Sequence, residues 1–382
     1  MKTSLRLTIA LAGTILATSA ARADITVGFV TALSGPGASI GIPYAKGMAA
    51  AYEYVATVNG EKVRLIQLDD TSDPSTAARN ARKLVEEEKV DILIGTAQAP
   101  AAIAMMAVSA ELKVPMISVA PVVVPPTTDR WGIAVPQLPS LMFKAVTDRM
   151  TKDGVKSLAF IGFSDAWGDL VYTGAKAAED RSEVKLVANE RYARTDTSVT
   201  GQVLKIVAAR PDAVFNGGSA TQGALPLLAL AERGYKGKIY GTPALLNADF
   251  IRVGGKAAEG ILVSAGPVIV AEQLPDTHFS KKLSLAFRAS YLKVNGTETT
   301  DGFSAYSFDA WLIFTEAAKR AMAKAKPGTP EFRTALKDEI FATKELAGVH
   351  AIYNFKPDSA YGVDERSLVL VRLSNGTWKY EP

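Results

Sequence analysis

The chain has 382 residues, with 43 Lys and Arg against 39 Asp and Glu, and no cysteine. Thiol catalysis, Cys-based zinc sites and disulfides are therefore closed to it, and stability has to come from packing alone. The length accommodates two domains more naturally than one.

The basic start Met1-Lys-Thr-Ser-Leu-Arg6 leads into the apolar run Leu7 to Ala17, and Ala21-Arg22-Ala23 closes it. That is the pattern of a secretory signal peptide cleaved after Ala23, giving an exported chain that starts at Asp24. The apolar run is too short for a stable membrane anchor, and no later stretch is long and apolar enough to span a bilayer. Residues 1–23 hold Lys2, Arg6 and Arg22 and no acid, so the remainder is close to charge balance. Nothing in that balance suggests a nucleic-acid partner.

Ile25 to Thr31 is β-branched and aromatic, as in a strand, and a Gly-rich turn from Ser34 to Gly41 follows. Pro43 to Thr57 reads as a helix and Val63 to Asp70 as a second strand. In Thr71-Ser-Asp73-Pro74, an N-cap acid precedes Pro at the first helical position, which starts a helix running to Glu88. The apolar run of Asp91-Ile-Leu-Ile-Gly95 then turns through Thr96-Ala-Gln98-Ala into an Ala-rich helix at Pro100. Free N–H groups at such a turn, with the positive end of the helix dipole, form a cradle for a small anion. An ordinary strand–helix turn would read the same way. Strand Val114 to Val119 completes a parallel sheet covered on both faces.

Pro121 to Pro139 has little periodicity and reads as a loop leading to a crossover. The alternation restarts with strands at 157–163, 184–191, 213–216, 238–241 and 260–264, with helices between them, so a second α/β unit sits beside the first. Beyond Ala265-Gly266-Pro267 the pattern is helical, at 279–293 and 304–325, and it returns to cover the first unit. Extended segments at 351–355 and 368–380 close the chain, the latter as a hairpin around Ser374-Asn375-Gly376 that belongs to the second unit.

The chemical signals are mostly negative. Gly35-Pro-Gly37 to Gly41 has the spacing G-x-G-x-x-x-G with a Pro inside it, and the next strand-end acid is Asp69, so it does not fit a dinucleotide fingerprint. Asp69, Asp70 and Asp73 lack the further acids of a cation loop, and Asp73 is accounted for as a cap. His278 and His350 are the only histidines, and no G-x-S-x-G elbow accompanies them. No cofactor, metal or catalytic set is expected. Trp167, in Ser164-Asp-Ala-Trp-Gly-Asp169, lies just past a strand end, either as a packing residue or as a stacking platform for a ligand.

The ordered series Ser34-Gly-Pro36, Asp69-Asp70-Thr-Ser-Asp73-Pro74, Ile94-Gly95, Pro115-Met-Ile-Ser118, Ala166-Trp-Gly168, Phe215-Asn-Gly-Gly218 and Ala257-Ala-Glu-Gly-Ile-Leu-Val263 resembles the periplasmic leucine/isoleucine/valine-binding proteins of ABC importers. The resemblance implies an α/β fold of two Rossmann-like lobes with parallel-rich sheets, joined by three crossovers and closing on a solute. The expected division is 24–138 with 268–350 for one lobe and 139–267 with 351–382 for the other. It also implies a periplasmic location, a permease as membrane partner and no enzymatic activity. A monomer is expected.

The departures from that family bear on the ligand. Where the amino-acid binders carry a cysteine and then a carboxylate-holding serine, this chain has Gln98 and Ala99, and the cysteine's disulfide partner corresponds to Ser72. The threonine that touches both ends of the amino acid corresponds to Val122, and the acid that pairs with the ammonium corresponds to Pro243. A buried ammonium would have no counter-charge, at a cost of several kcal/mol. The expected pocket has Ile40, Ala97, Ala120, Val122, Leu245 and Trp167 as walls, with Thr96, Gln98, Ser219 and Thr221 as polar points. It suits a hydrophobic or aromatic monocarboxylate, as in relatives that take benzoate- and cinnamate-type acids. The acid would rest on backbone N–H groups after Thr96 and Gln98, with Thr96 replacing the absent serine. A branched-chain amino acid binder and a ligand sensor of the same fold are the alternatives.

Overall fold

The computed structural model describes residues 24–123, 127, 129–299 and 301–382, and the signal-peptide reading of residues 1–23 lies outside them. Two sheets organise the chain. The first has the order β2-β3-β1-β4-β5-β6, from β1 (Ile25–Thr31), β2 (Thr57–Val58), β3 (Glu61–Asp69), β4 (Ile92–Gly95), β5 (Met116–Ser118) and β6 (Gly132–Ala134). Its pairings are parallel except for the edge hairpin β2–β3. The second has the order β15-β14-β11-β10-β9-β7-β8. Here β7 (Ser157–Phe163), β8 (Lys185–Tyr192), β9 (Ala213–Gly217), β10 (Lys238–Gly241) and β11 (Leu262–Ala265) are parallel, and β14 (Val369–Ser374) and β15 (Thr377–Glu381) add an antiparallel edge.

The central strands β1, β4, β7 and β9 are buried along nearly their whole length, as continuous Val/Ile/Phe runs covered by helices on both faces require. The β14–β15 turn places Asn375 and Gly376 at φ 51° and 68°, the positive values that a two-residue hairpin turn demands.

Four helices frame the site: α1 (Ala38–Tyr54), α3 (Ala99–Leu112), α5 (Ala166–Asp180) and α10 (Phe303–Ala321). Helices α9 (Lys281–Asn295) and α10 return to α1, so the late helical segment covers the first lobe. At Gly47 a side-chain carbon would stand 1.9 Å from the Ser304 carbonyl oxygen, so the α1–α10 crossing is built on the missing Cβ.

The chain passes between the two sheets three times: through 135–138 into α4 (Pro139–Lys152), after β11, where Val270 and Leu274 still pack beside Phe250 and Trp378 before α9 reaches the first lobe, and in the stretch before β14. Buried Gln137 ties two of them, donating from Nε2 to the Ser367 carbonyl at 3.1 Å.

Four details differ from the sequence reading. Part of the stretch read as a loop forms β6, a three-residue strand too short to show periodicity. Helix α1 starts five residues earlier than expected and carries Pro43 inside it. Helix α11 (Pro330–Phe341), capped by Thr329, has no counterpart in the sequence reading. The segment 351–355 does not join the second lobe. Ala351, Tyr353 and Phe355 pack into the first lobe's core, and β13 (Ile352–Tyr353) pairs with β12 (Leu346–Ala347), so the last crossing falls nearer Val363.

Candidate functional site

A cavity lies between the lobes, at the carboxyl ends of strands from both sheets. Ile40 and Tyr44 enter from α1, Ala97, Gln98 and Ala99 from the β4–α3 turn, and Ala120 and Pro121 from the end of β5. The returning helix α10 adds Phe303 and Tyr306. From the second lobe come Met142 on α4, Trp167 on α5, Arg194 after β8, Ser219 after β9, and Pro243 and Ala244 after β10.

Eight of the twelve expected residues therefore line the cavity: Ile40, Ala97, Gln98, Ala99, Ala120, Trp167, Ser219 and Pro243. The other four do not. Thr96 is fully buried and its hydroxyl donates to the Asp70 carboxylate. Val122 packs in the first lobe's outer core, with its N–H and carbonyl both held by the Tyr361 hydroxyl, at 2.8 and 2.9 Å. Leu245 is fully buried beside Phe250 and Val263, one residue past the loop that reaches the cavity. Thr221 sits half-buried in the short turn after Ser219 and is not a wall.

The commitment of Thr96 matters most. Burial raises the Asp70 carboxyl above its usual range, and the Thr96 hydroxyl opposes that shift. Thr96 thus serves the acid beneath the turn, not a ligand above it. Replacing Thr96 by valine is expected to cost about 1–3 kcal/mol in urea unfolding, the price of an orphaned buried acceptor, with ligand affinity unchanged.

Arg194 is the charged wall residue absent from the sequence expectation, which also lacked Tyr44, Met142, Phe303 and Tyr306. Its Nε donates to Asp165 at 2.6 Å, its Nη1 donates to the Ser219 hydroxyl at 3.1 Å, and its guanidinium lies 4.1 Å from the Phe163 ring centroid. Asp165 in turn caps α5, accepting from the N–H groups of Trp167 and Gly168 at 3.0 and 3.1 Å. One acid therefore orients both the arginine and the tryptophan. Among the described residues, Arg194 is the only charged one in the wall, and no acid lines the cavity. The indole N–H of Trp167 is buried with no hydrogen-bond partner among the described residues.

The aromatic walls are held from behind. The Tyr44 hydroxyl donates to the Val119 carbonyl at 2.6 Å, and that of Tyr306 donates to Gln137 at 2.7 Å, which connects a cavity wall to the inter-lobe passages. The Tyr306 ring stacks on His350 at 3.8 Å.

His350 is buried, and burial lowers its pKa to about 3. The unfolded histidine binds a proton below about 6.5 and the folded one only below about 3, so stability falls as pH drops through that window. Neighbouring Asp309, pushed up to about 6 by burial, binds its proton earlier in the fold than in the unfolded chain and returns stability below about 6. His350→Gln should therefore lose less of its urea midpoint than wild type on acidification from about pH 7 to about pH 5.

The acids once weighed as cation ligands are otherwise occupied. Asp69 accepts from Leu33 N–H and Thr71 N–H, each at 2.8 Å, and Asp73 caps the helix at Thr76 N–H, 2.7 Å away.

Residues 24–362 match the family described as periplasmic binding protein. An extracellular ligand-binding receptor from Rhodopseudomonas palustris HaA2 is 39% identical, with a TM-score of 0.90, over 94% of this chain and 100% of that one. Leu/Ile/Val-binding protein homolog 3 of Brucella melitensis is 28% identical over 273 residues, 69% of this chain and 73% of the relative. A solute-binding protein of an ABC transporter from R. palustris, solved in complex with benzoate, has a TM-score of 0.77 over 94% of this chain and 95% of that one. At 20% identity, its likeness is one of fold. The chain belongs to the periplasmic binding protein family, a solute-binding fold shared with the leucine/isoleucine/valine binders.

Proposed function

We propose that the protein is the extracytoplasmic solute-binding component of an ABC importer, and that it captures a hydrophobic or aromatic monocarboxylate of the benzoate or cinnamate type for delivery to a permease. One observation carries this reading: among the described residues, the cavity has aromatic and aliphatic walls, with Arg194 as their single charge and no acid. A carboxylate gains a charge-assisted partner there, whereas the ammonium of an amino acid has none. The ring has Trp167, Tyr44, Phe303 and Tyr306 to pack against, and Trp167 Nε1 and Gln98 are at hand for a ring substituent.

This moves the acid from where the sequence put it. The turn at Gln98 and Ala99 remains a wall, but the counter-charge comes from the second lobe. The benzoate complex of the R. palustris solute-binding protein is in keeping with this ligand class. Relatives named for leucine, isoleucine and valine keep the amino-acid reading as the alternative.

A thermal-shift panel of benzoates, cinnamates, aliphatic acids and amino acids tests it. Aromatic acids at about 100 times Kd should stabilise the protein by about 2.7 kcal/mol. Stabilisation by leucine or valine with no response to any aromatic acid would overturn the assignment.

A further inference from the structure

Pro43 lies inside α1, where a residue with an N–H would bond the carbonyl of Ser39 one turn earlier. Proline cannot, and the freed carbonyl is taken from the other lobe: Asn247 Nδ2 donates to Ser39 O at 2.8 Å. Asn247 is 2% exposed and its orientation is fixed. Its Oδ1 accepts from the N–H groups of Asp249 and Phe250 at 2.9 and 3.3 Å, as the N-cap of α8 (Ala248–Gly254), which leaves the amide nitrogen facing Ser39. The preceding residue makes a second bridge, with Gly302 N–H donating to the Leu246 carbonyl at 2.9 Å. The approach is close enough that a Cβ on Gly302 would stand 3.4 Å from Leu246 Cβ.

Both bonds join the lobes and neither involves a ligand atom. They flank the cavity, since Ser39 precedes Ile40, Gly302 precedes Phe303, and Asn247 follows the loop carrying Pro243 and Ala244. The side-chain bond also has a built-in demand. In the closed arrangement, Ser39 O has no helical donor because position 43 is proline, so opening the cleft exchanges its partner for water.

We propose that Asn247 is a positioning residue for ligand capture. By reading the carbonyl that Pro43 frees, it stabilises the closed arrangement independently of the ligand and slows ligand release. The inference rests on the proposed reading that the lobes close on an acid, but it concerns closure and not the ligand's identity.

Asn247→Asp is the informative change. Aspartate caps α8 as well as asparagine does, yet it sets a carboxylate oxygen against the Ser39 carbonyl. Without ligand the variant should still unfold in one cooperative transition, at a temperature slightly below that of wild type, and it should bind benzoate about tenfold more weakly, chiefly through faster dissociation. In small-angle scattering of ligand-free protein, its radius of gyration should exceed that of wild type. Asn247→Ser, which keeps a capping hydroxyl but cannot reach Ser39, should weaken benzoate binding with Pro43 present. It should do so less in a Pro43→Ala background, where residue 43 can supply the missing N–H. Unchanged affinity together with an unchanged radius in Asn247→Asp overturns the proposal. If benzoate fails to bind wild type, the acid reading falls instead, and the ligand-free radii alone decide the latch: larger in the variant supports it, equal overturns it.

Discussion

Replacing Arg194 with glutamine is expected to weaken benzoate binding roughly 30- to 1,000-fold, the effect of removing one partner from a buried charge pair. The guanidinium is the only formal charge among the described wall residues, and a carboxylate facing them without it keeps only dipoles. The fold should survive the change. Asp165, which loses the arginine, is still an N-cap for α5 with a side chain 23% exposed, so water can replace the lost partner. Titration calorimetry on a variant with wild-type unfolding behaviour checks it. Binding within a factor of about three of wild type would place the carboxylate elsewhere, with the N-terminal turn of α3 as the remaining candidate.

Asp309→Ala should have the largest effect on stability. Its carboxylate is fully buried and accepts from Val349 N–H, His350 N–H and the Tyr353 hydroxyl at 2.7, 2.9 and 2.7 Å, tying α10 to the segment that carries β13. Alanine orphans all three donors, at roughly 1–3 kcal/mol each. Part of this is offset, because burial holds the Asp309 pKa at about 6 and the ionised group is itself costly at neutral pH. The net loss should be about 2–5 kcal/mol in denaturant unfolding near neutral pH. Since α10 supplies Phe303 and Tyr306 to the cavity, affinity should fall with it. A loss below about 1 kcal/mol would mean that water or backbone movement satisfies the three donors.

The two α/β lobes were legible in the sequence because buried parallel strands read as apolar runs and helix caps such as Asp73-Pro74 mark themselves locally. Strand β6 and the first-lobe placement of residues 351–355 were not, since three-residue strands and long-range packing leave no periodic trace. At the site, several turn residues following strands were legible, such as Ala97, Ala120 and Trp167, whereas Pro121 and Ala244 were not. Arg194 likewise follows a strand, lying two residues past the end of β8 in Tyr192-Ala-Arg194. A basic residue in a chain rich in them carries no mark of its role until Asp165 and Ser219 are seen around it. Tyr44, Phe303 and Tyr306 reach the cavity only through the packing of α10 on α1, which the sequence does not spell out. Thr96 follows the expected loop, but the buried acid beneath it, Asp70, comes from the end of β3, two strands across the sheet, and local sequence gives no sign of it.

The ligand's charge pattern is the centre of this account, and two solutes that differ only in the amine isolate it. Calorimetric titration of the purified protein with 3-phenylpropanoate and with phenylalanine should show clear binding of the first. The second should bind at least about a hundredfold more weakly, because its ammonium would be buried without a partner. Equal or tighter binding of phenylalanine would contradict the account and place a counter-charge for the amine in the cleft.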